Sequence, residues 1–154
     1  MNPLAQAVRD NKPSYSEGDP RWNIGYNFIT AMGMTFPEVS DDGRMFVAAM
    51  PAAPFVGQRT GRLAGGAAIA FAETTAGRAS NVWLGDEKLA VGQSVTASHL
   101  SSQPVDGSIL YARGTCLHQG KRTHVWEVRI ENEAGRLVSL ITVTNAILDK
   151  SPLA

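Results

Sequence analysis

The apolar positions of this chain follow two rhythms. Between residues 65 and 84 the sequence GGAAIAFAETTAGRASNVWL is small and apolar almost throughout, over a length that suits a helix rather than a strand. Gly85-Asp86 and the polar residues around it close that segment. Met34–Val39 and Arg44–Met50 are read as two strands joined by Ser-Asp-Asp-Gly, a turn signal. Leu89–His99, Ser108–Leu117, Arg122–Glu131 and Arg136–Leu148 are read as four more, running as a β-meander. Turns are placed at Gln103–Gly107, His118–Lys121 and Glu133–Gly135. A short amphipathic helix is expected from Asp19-Pro20, where the acid caps and the proline suits the first turn, to about Gly33. Its Trp22, Tyr26 and Phe28 are read either as packing aromatics or as a lid. Residues 1–18 are polar, broken by Pro13 and Gly18, and are read as a loose arm ahead of a single domain over 19–154. Helix, two strands, long helix and four strands make an α+β plan, with a curled antiparallel sheet around one central helix.

Composition narrows the function more than the fold. A length of 154 residues suits one core. The net charge is zero and no basic block occurs, which argues against nucleic acid as a partner. Cys116 is the single cysteine, so no intrachain disulfide forms, and a cytoplasmic location is expected. The first residues hold no apolar run of signal-peptide length. Residues 65–84 are the one candidate membrane span, but Glu73, Arg78, Asn81 and the alanine content favour a buried helix, and no membrane partner is expected. Cys116 and the three histidines, His99, His118 and His124, lack the spacing of a zinc site, and no metal is expected.

The chemistry concentrates on the long helix. Gly65-Gly66 leaves unblocked backbone N–H groups at a helix N-terminus, where developing negative charge is stabilised; the alternative is a plain glycine-rich turn. Glu73 lies eight residues on, roughly 12 Å along the axis. One reacting carbonyl cannot readily touch both from the same chain. If both act on one substrate, the second comes from another subunit, in a dimer with antiparallel helices and two shared sites. Partial burial on the alanine-rich helix would make Glu73 more basic. The alternative is an acid exposed on the helix surface.

The strings GQRTGRLAGGAAIAFAETTAG, AVGQSVTASH, LHQGKRTHVWEVRI and NEAGRLVSLITVTNAIL resemble, in order and spacing, the hotdog-fold acyl-CoA thioesterases. The similarity is greatest to the glutamate-using 4-hydroxybenzoyl-CoA clade, with the phenylacetate-degradation, dihydroxynaphthoyl-CoA and enterobactin-proofreading thioesterases as relatives. It spans about residues 34–148. The resemblance implies a hotdog fold, homodimers paired into homotetramers, and coenzyme A as part of the substrate with no separate cofactor. It implies that Gln58 and the Gly65 N–H polarise the thioester carbonyl, with Gly66 beside them. Glu73 of the partner subunit then acts as nucleophile, through a mixed anhydride, or as general base for water. It places His99 near the acyl group, with Gly66, Ala64 and Gly77 also at the substrate, and Lys121, Arg122 and Thr123 near the phosphates of coenzyme A; Arg62 and Arg113 are further options. Two positions depart from the family. Ala64 stands where a histidine is usual, and Gly77 where a serine or threonine is usual one turn after the glutamate. Thr74 and Thr75 leave the face of Glu73; Ser80 returns to it, farther along.

Three functions follow. The first is an acyl-CoA thioesterase acting on an aryl or medium-chain acyl group. The second is a binding protein for acyl-CoA or another acyl ligand, motivated by Ala64 and Gly77. The third is a hotdog dehydratase or hydratase, which the missing histidine at position 64 disfavours.

Overall fold

The computed structural model describes residues 27–35 and 37–150. The predicted helix start at Asp19-Pro20, with Trp22 and Tyr26, lies outside them, as does the arm over 1–18. Helix α1 (Phe28–Met32) begins at Asn27, whose side chain accepts from the N–H groups of Ile29 and Thr30 while Thr30 reaches back to the Asn27 N–H, a reciprocal capping box. It ends on Gly33 at φ 70°, where the N–H groups of Gly33 and Met34 bond Thr30 and Ile29 carbonyls.

That cap explains why the first strand is shorter than expected. Met34 is spent closing the helix, and Thr35 makes two bonds to Ala49, through its N–H and its hydroxyl. Pro37 has no N–H to give a ladder. Strand β1 is therefore only Glu38–Val39, paired with β2 (Met45–Pro51). A 3-10 turn at Pro54–Val56 leads to the long helix α2 (Gly65–Leu84), whose bounds match the sequence reading and whose end is marked by Gly85 at φ 72°. Four strands follow: β3 (Lys88–His99), β4 (Ile109–Gln119), β5 (Thr123–Asn132) and β6 (Leu137–Asp149).

These form one antiparallel sheet in the order β1-β2-β4-β5-β6-β3. The meander expectation holds for β4 to β6 only. β3 crosses to the far edge and pairs with β6, so the chain that leaves β3 through Gln103–Gly107 returns across the sheet to β4. One edge of the sheet is thus a two-residue strand and the other a twelve-residue strand.

Helix α2 lies against the inner face. Ala68, Phe71, Ala72, Thr75, Ala76 and Ala79 are fully buried, and the alanines let the helix approach the sheet closely. Facing them are Phe46, Leu110, Trp126, Val128, Ile130, Ile141 and Val143, with the Phe46 and Trp126 rings tilted at 5.2 Å. No helix among the described residues is long and apolar enough to cross a membrane.

A polar knot pins the far end of α2. The Ser80 hydroxyl meets Trp126 Nε1 at 2.9 Å, Asn145 Nδ2 at 3.3 Å and His124 Nδ1 at 2.9 Å. Both nitrogens of the first two are donors, so the oxygen's two lone pairs are taken and its proton goes to His124 Nδ1. With Nδ1 accepting from Ser80, the ring proton of His124 falls on Nε2, a buried nitrogen with no partner among the described residues. Burial, and then the neighbouring His118, lower its pKa. The ring edge of the half-exposed Trp83 packs on it at 5.9 Å.

Candidate active site

The loop before α2 and the end of β3 come together at the start of the helix. Gln58 N–H bonds the Arg62 carbonyl, and the Gln58 side chain reaches the Leu63 carbonyl at 3.4 Å, so the glutamine stands beside the helix start on a tight turn. Ala64 is the N-cap and offers no side-chain bond. Among the described residues the N–H groups of Gly65 and Gly66 have no acceptor. The helix start therefore presents open donors at the positive end of the dipole.

His99 explains why position 65 is glycine. A Cβ there would stand 2.6 Å from His99 Nε2, so glycine lets the ring hold this place above the helix start. The other ring nitrogen, Nδ1, is 2.9 Å from the hydroxyl of Ser139, the residue directly opposite His99 in the β3–β6 register. Gln58, Arg62, Gly65, Ala68, His99, Gln103 and Ser139 are among the walls of an open cleft of about 330 Å³. The three residues expected to contact the acyl end, Gln58, Gly65 and His99, are thus in one place; Ala64 and Gly66, the neighbours of Gly65 in the chain, are not among its walls.

Glu73 is not. It is exposed, contrary to the expectation of a partly buried acid, and shares its helix face with the exposed Gly66 and the half-buried Ile69, Ala70 and Gly77. Its carboxylate rests against Gly92 of β3, at the bulge where the β3–β6 register shifts between Gly92 and Ser94. A Cβ on Gly77 would meet nothing, so the surface one turn after Glu73 is open. Thr75 is buried and bonds the Phe71 carbonyl at 2.7 Å, which removes it from this face. Ser80 does not return to the face of Glu73 in any useful sense: β5 and β6 cover the helix there, and the hydroxyl is consumed by the polar knot.

Lys121, Arg122 and Thr123 sit on the β4–β5 hairpin at the opposite end of α2 from Gly65. Lys121 lines a second cleft of about 380 Å³ with Trp83, Leu84, Lys88, Gln119, Gly120 and Ile147. Arg113 pairs with Glu131 across the sheet instead. His99 stands at the start of α2 while His124, with His118 as its neighbour, lies at the far end, and no group of three metal-binding side chains occurs among the described residues. The Cys116 thiol is buried, which raises its pKa. Sequence reading missed Ser139 and the Ser80 knot. The register would have found Ser139, since it pairs with His99, but that register depends on β3 crossing to β6.

Residues 60–139 match the family model described as the thioesterase superfamily. The chain belongs to that superfamily. This thioesterase is 33% identical over 124 residues to the 1,4-dihydroxy-2-naphthoyl-CoA hydrolase of Escherichia coli, covering 79% of this chain and 87% of the relative. Its structure matches that of a Lactococcus lactis protein put forward as a thioesterase, with a TM-score of 0.77 and 40% identity, over 82% of this chain and 100% of the other. A Staphylococcus aureus thioesterase matches with a TM-score of 0.70 and 30% identity, over 77% of this chain and 96% of the other. Its solved variants carry alanine in place of a glutamine and, fifteen residues further on, of a glutamate. The curled sheet around one long helix is the hotdog fold, and the enzyme is a thioester hydrolase.

Proposed function

We propose that this enzyme hydrolyses an aryl- or medium-chain acyl-CoA thioester to the free acid and coenzyme A, at sites shared between two protomers. The observation that carries the reading is the separation of the two halves. Among the described residues the cleft holding Gln58, Gly65 and His99 contains donors but no carboxylate, while Glu73 stands exposed beside β3, the edge strand that pairs with β6 alone. A second copy laid antiparallel along α2 supplies each cleft with the acid it lacks. Gln58 and Glu73 are also fifteen residues apart, the same spacing as the two residues replaced in the Staphylococcus aureus thioesterase.

In this arrangement the thioester carbonyl oxygen lies at the start of α2, where the Gly65 N–H and the Gln58 amide receive its developing charge. Glu73 of the partner subunit attacks the carbonyl carbon or takes a proton from water that does so. The thiolate of coenzyme A leaves, and its nucleotide end reaches toward the Lys121–Thr123 hairpin. Dimers pair into tetramers in this reading, and the location is cytoplasmic. No metal or separate cofactor takes part.

Glu73→Ala and Glu73→Gln test the assignment in a thiol-release assay over aromatic, short-chain and medium-chain acyl-CoAs. Both variants are expected to lose at least 100-fold in kcat, on the order of a catalytic carboxylate's contribution, while keeping the wild-type oligomer. Near-normal turnover in either sinks the mechanism. Tight binding of acyl-CoA by the wild type without thiol release favours the binding-protein alternative.

A further inference from the structure

The buried hydroxyl beneath His99 carries one more step. Ser139 is 1% exposed, and its Oγ meets His99 Nδ1 at 2.9 Å. No other partner of that hydroxyl occurs among the described residues. Two arrangements of the proton are open to a neutral ring. If Nδ1 carries the proton and donates to Ser139, the serine's own O–H is buried with no acceptor, a state that proteins avoid. If Ser139 donates to Nδ1, every buried group is satisfied and the ring proton is on Nε2. The Nε2 edge is the one that stands over Gly65, where a Cβ would approach to 2.6 Å.

We infer that Ser139 is a positioning residue that fixes His99 as an Nε2–H donor aimed at the start of α2. The cleft is then lined by two residues whose N–H groups lack internal acceptors, His99 and Gly65, with the Gln58 amide beside them. His99 so oriented is a donor to an acceptor atom of the substrate, not a base. This gives the site a ring donor from β3 where Ala64 offers none from the loop. The catalytic part of the inference rests on the acyl-CoA reading; the proton placement does not.

Two measurements separate them. Long-range ¹H–¹⁵N spectra of the wild-type histidine rings, taken where His99 is neutral, are expected to show the proton on Nε2 and a hydrogen-bonded Nδ1. The hydrogen-bond shift of Nδ1 is lost in Ser139→Ala and returns in Ser139→Thr. An Nδ1–H ring in the wild type overturns the inference whether or not a substrate has been found. In turnover, Ser139→Ala is expected to lower kcat about tenfold with KM within about twofold, and Ser139→Thr to recover most of it. The double variant Ser139→Ala/His99→Ala should be no slower than His99→Ala alone. Losses that multiply overturn the inference, because Ser139 would then act by a route other than His99. Absence of turnover on every acyl-CoA, with the Nε2–H ring observed, refutes the catalytic reading and leaves the positioning of His99 standing.

Discussion

Gly92→Ala separates the placement of Glu73 from the stability of the fold. Gly92 is not in the left-handed region, so alanine meets no backbone penalty there. In a strand the change is expected to stabilise by about 0.5 kcal/mol through the unfolded chain. The added methyl, however, would stand 3.2 Å from Glu73 Cδ and 3.3 Å from Cγ, and closer still to Oε1. The backbone of β3 is held by its ladder to β6, so the flexible carboxylate is what yields, by about 1 Å or by a change of rotamer. A shift of that size in a reacting group costs on the order of 100-fold. The expected result is kcat lowered about 30- to 100-fold in the thiol-release assay, with unchanged or slightly higher thermal stability. Both proteins are compared at equal protomer concentration, since dimer formation moves the midpoint. Wild-type turnover in the folded variant would refute the claim that Gly92 exists to seat Glu73. A fall in activity matched by a fall in stability would refute the mechanism of the effect.

Three further outcomes test other parts of the structure. Ser80→Ala strips the hub from Trp126, Asn145 and His124, leaving three buried polar groups short of a partner, and should destabilise by about 3 kcal/mol or more in urea titration; a loss under about 1 kcal/mol would show that the knot relaxes freely. His124 has a folded pKa below its unfolded value of about 6.5, so the unfolded chain takes up a proton that the folded chain refuses. Stability is then full above about pH 6.5 and declines as pH falls below it, by up to about 1.4 kcal/mol per unit, until the folded pKa is reached; a flat stability curve between pH 7 and 5 counts against it. Lys121→Ala with Arg122→Ala should raise KM for acyl-CoA about tenfold at low salt with kcat little changed, and the gap should narrow as salt screens the phosphates; equal KM values at low salt would remove the hairpin from the coenzyme A path.

The parts of this fold that are local in sequence were legible, and those set by distant pairing were not. The limits of α2 follow from its own composition, with Gly65-Gly66 at one end and Gly85 at the other. The hairpins at Gly120 and Gly135 follow from their turn residues. The position of β3 does not, because nothing within Lys88–His99 states whether it pairs with its neighbour in sequence or with a strand forty residues later. Everything that depends on that pairing was hidden with it: the contact of Glu73 with Gly92, and the partnership of His99 with Ser139. Gln58, Gly65 and His99 were legible as a set only through the resemblance to a known family, since the residues alone allowed a loop amide, a glycine turn and a strand-end histidine. Glu73 was expected to be shielded by the lean helix around it. The helix is lean on two sides, and only one of them faces the sheet.

The two edges of the sheet are unequally protected. β1 is only two residues long, follows a proline, carries Glu38 and is followed by Asp41 and Asp42, so it offers an incoming strand little to pair with. β3 runs twelve residues with Lys88 and His99 at its ends and neither charge nor proline between them. With no further strand beside it among the described residues, such an edge is a template for an extended chain. Loss of whatever occupies it would show first as aggregation in the cell and only second as lost turnover.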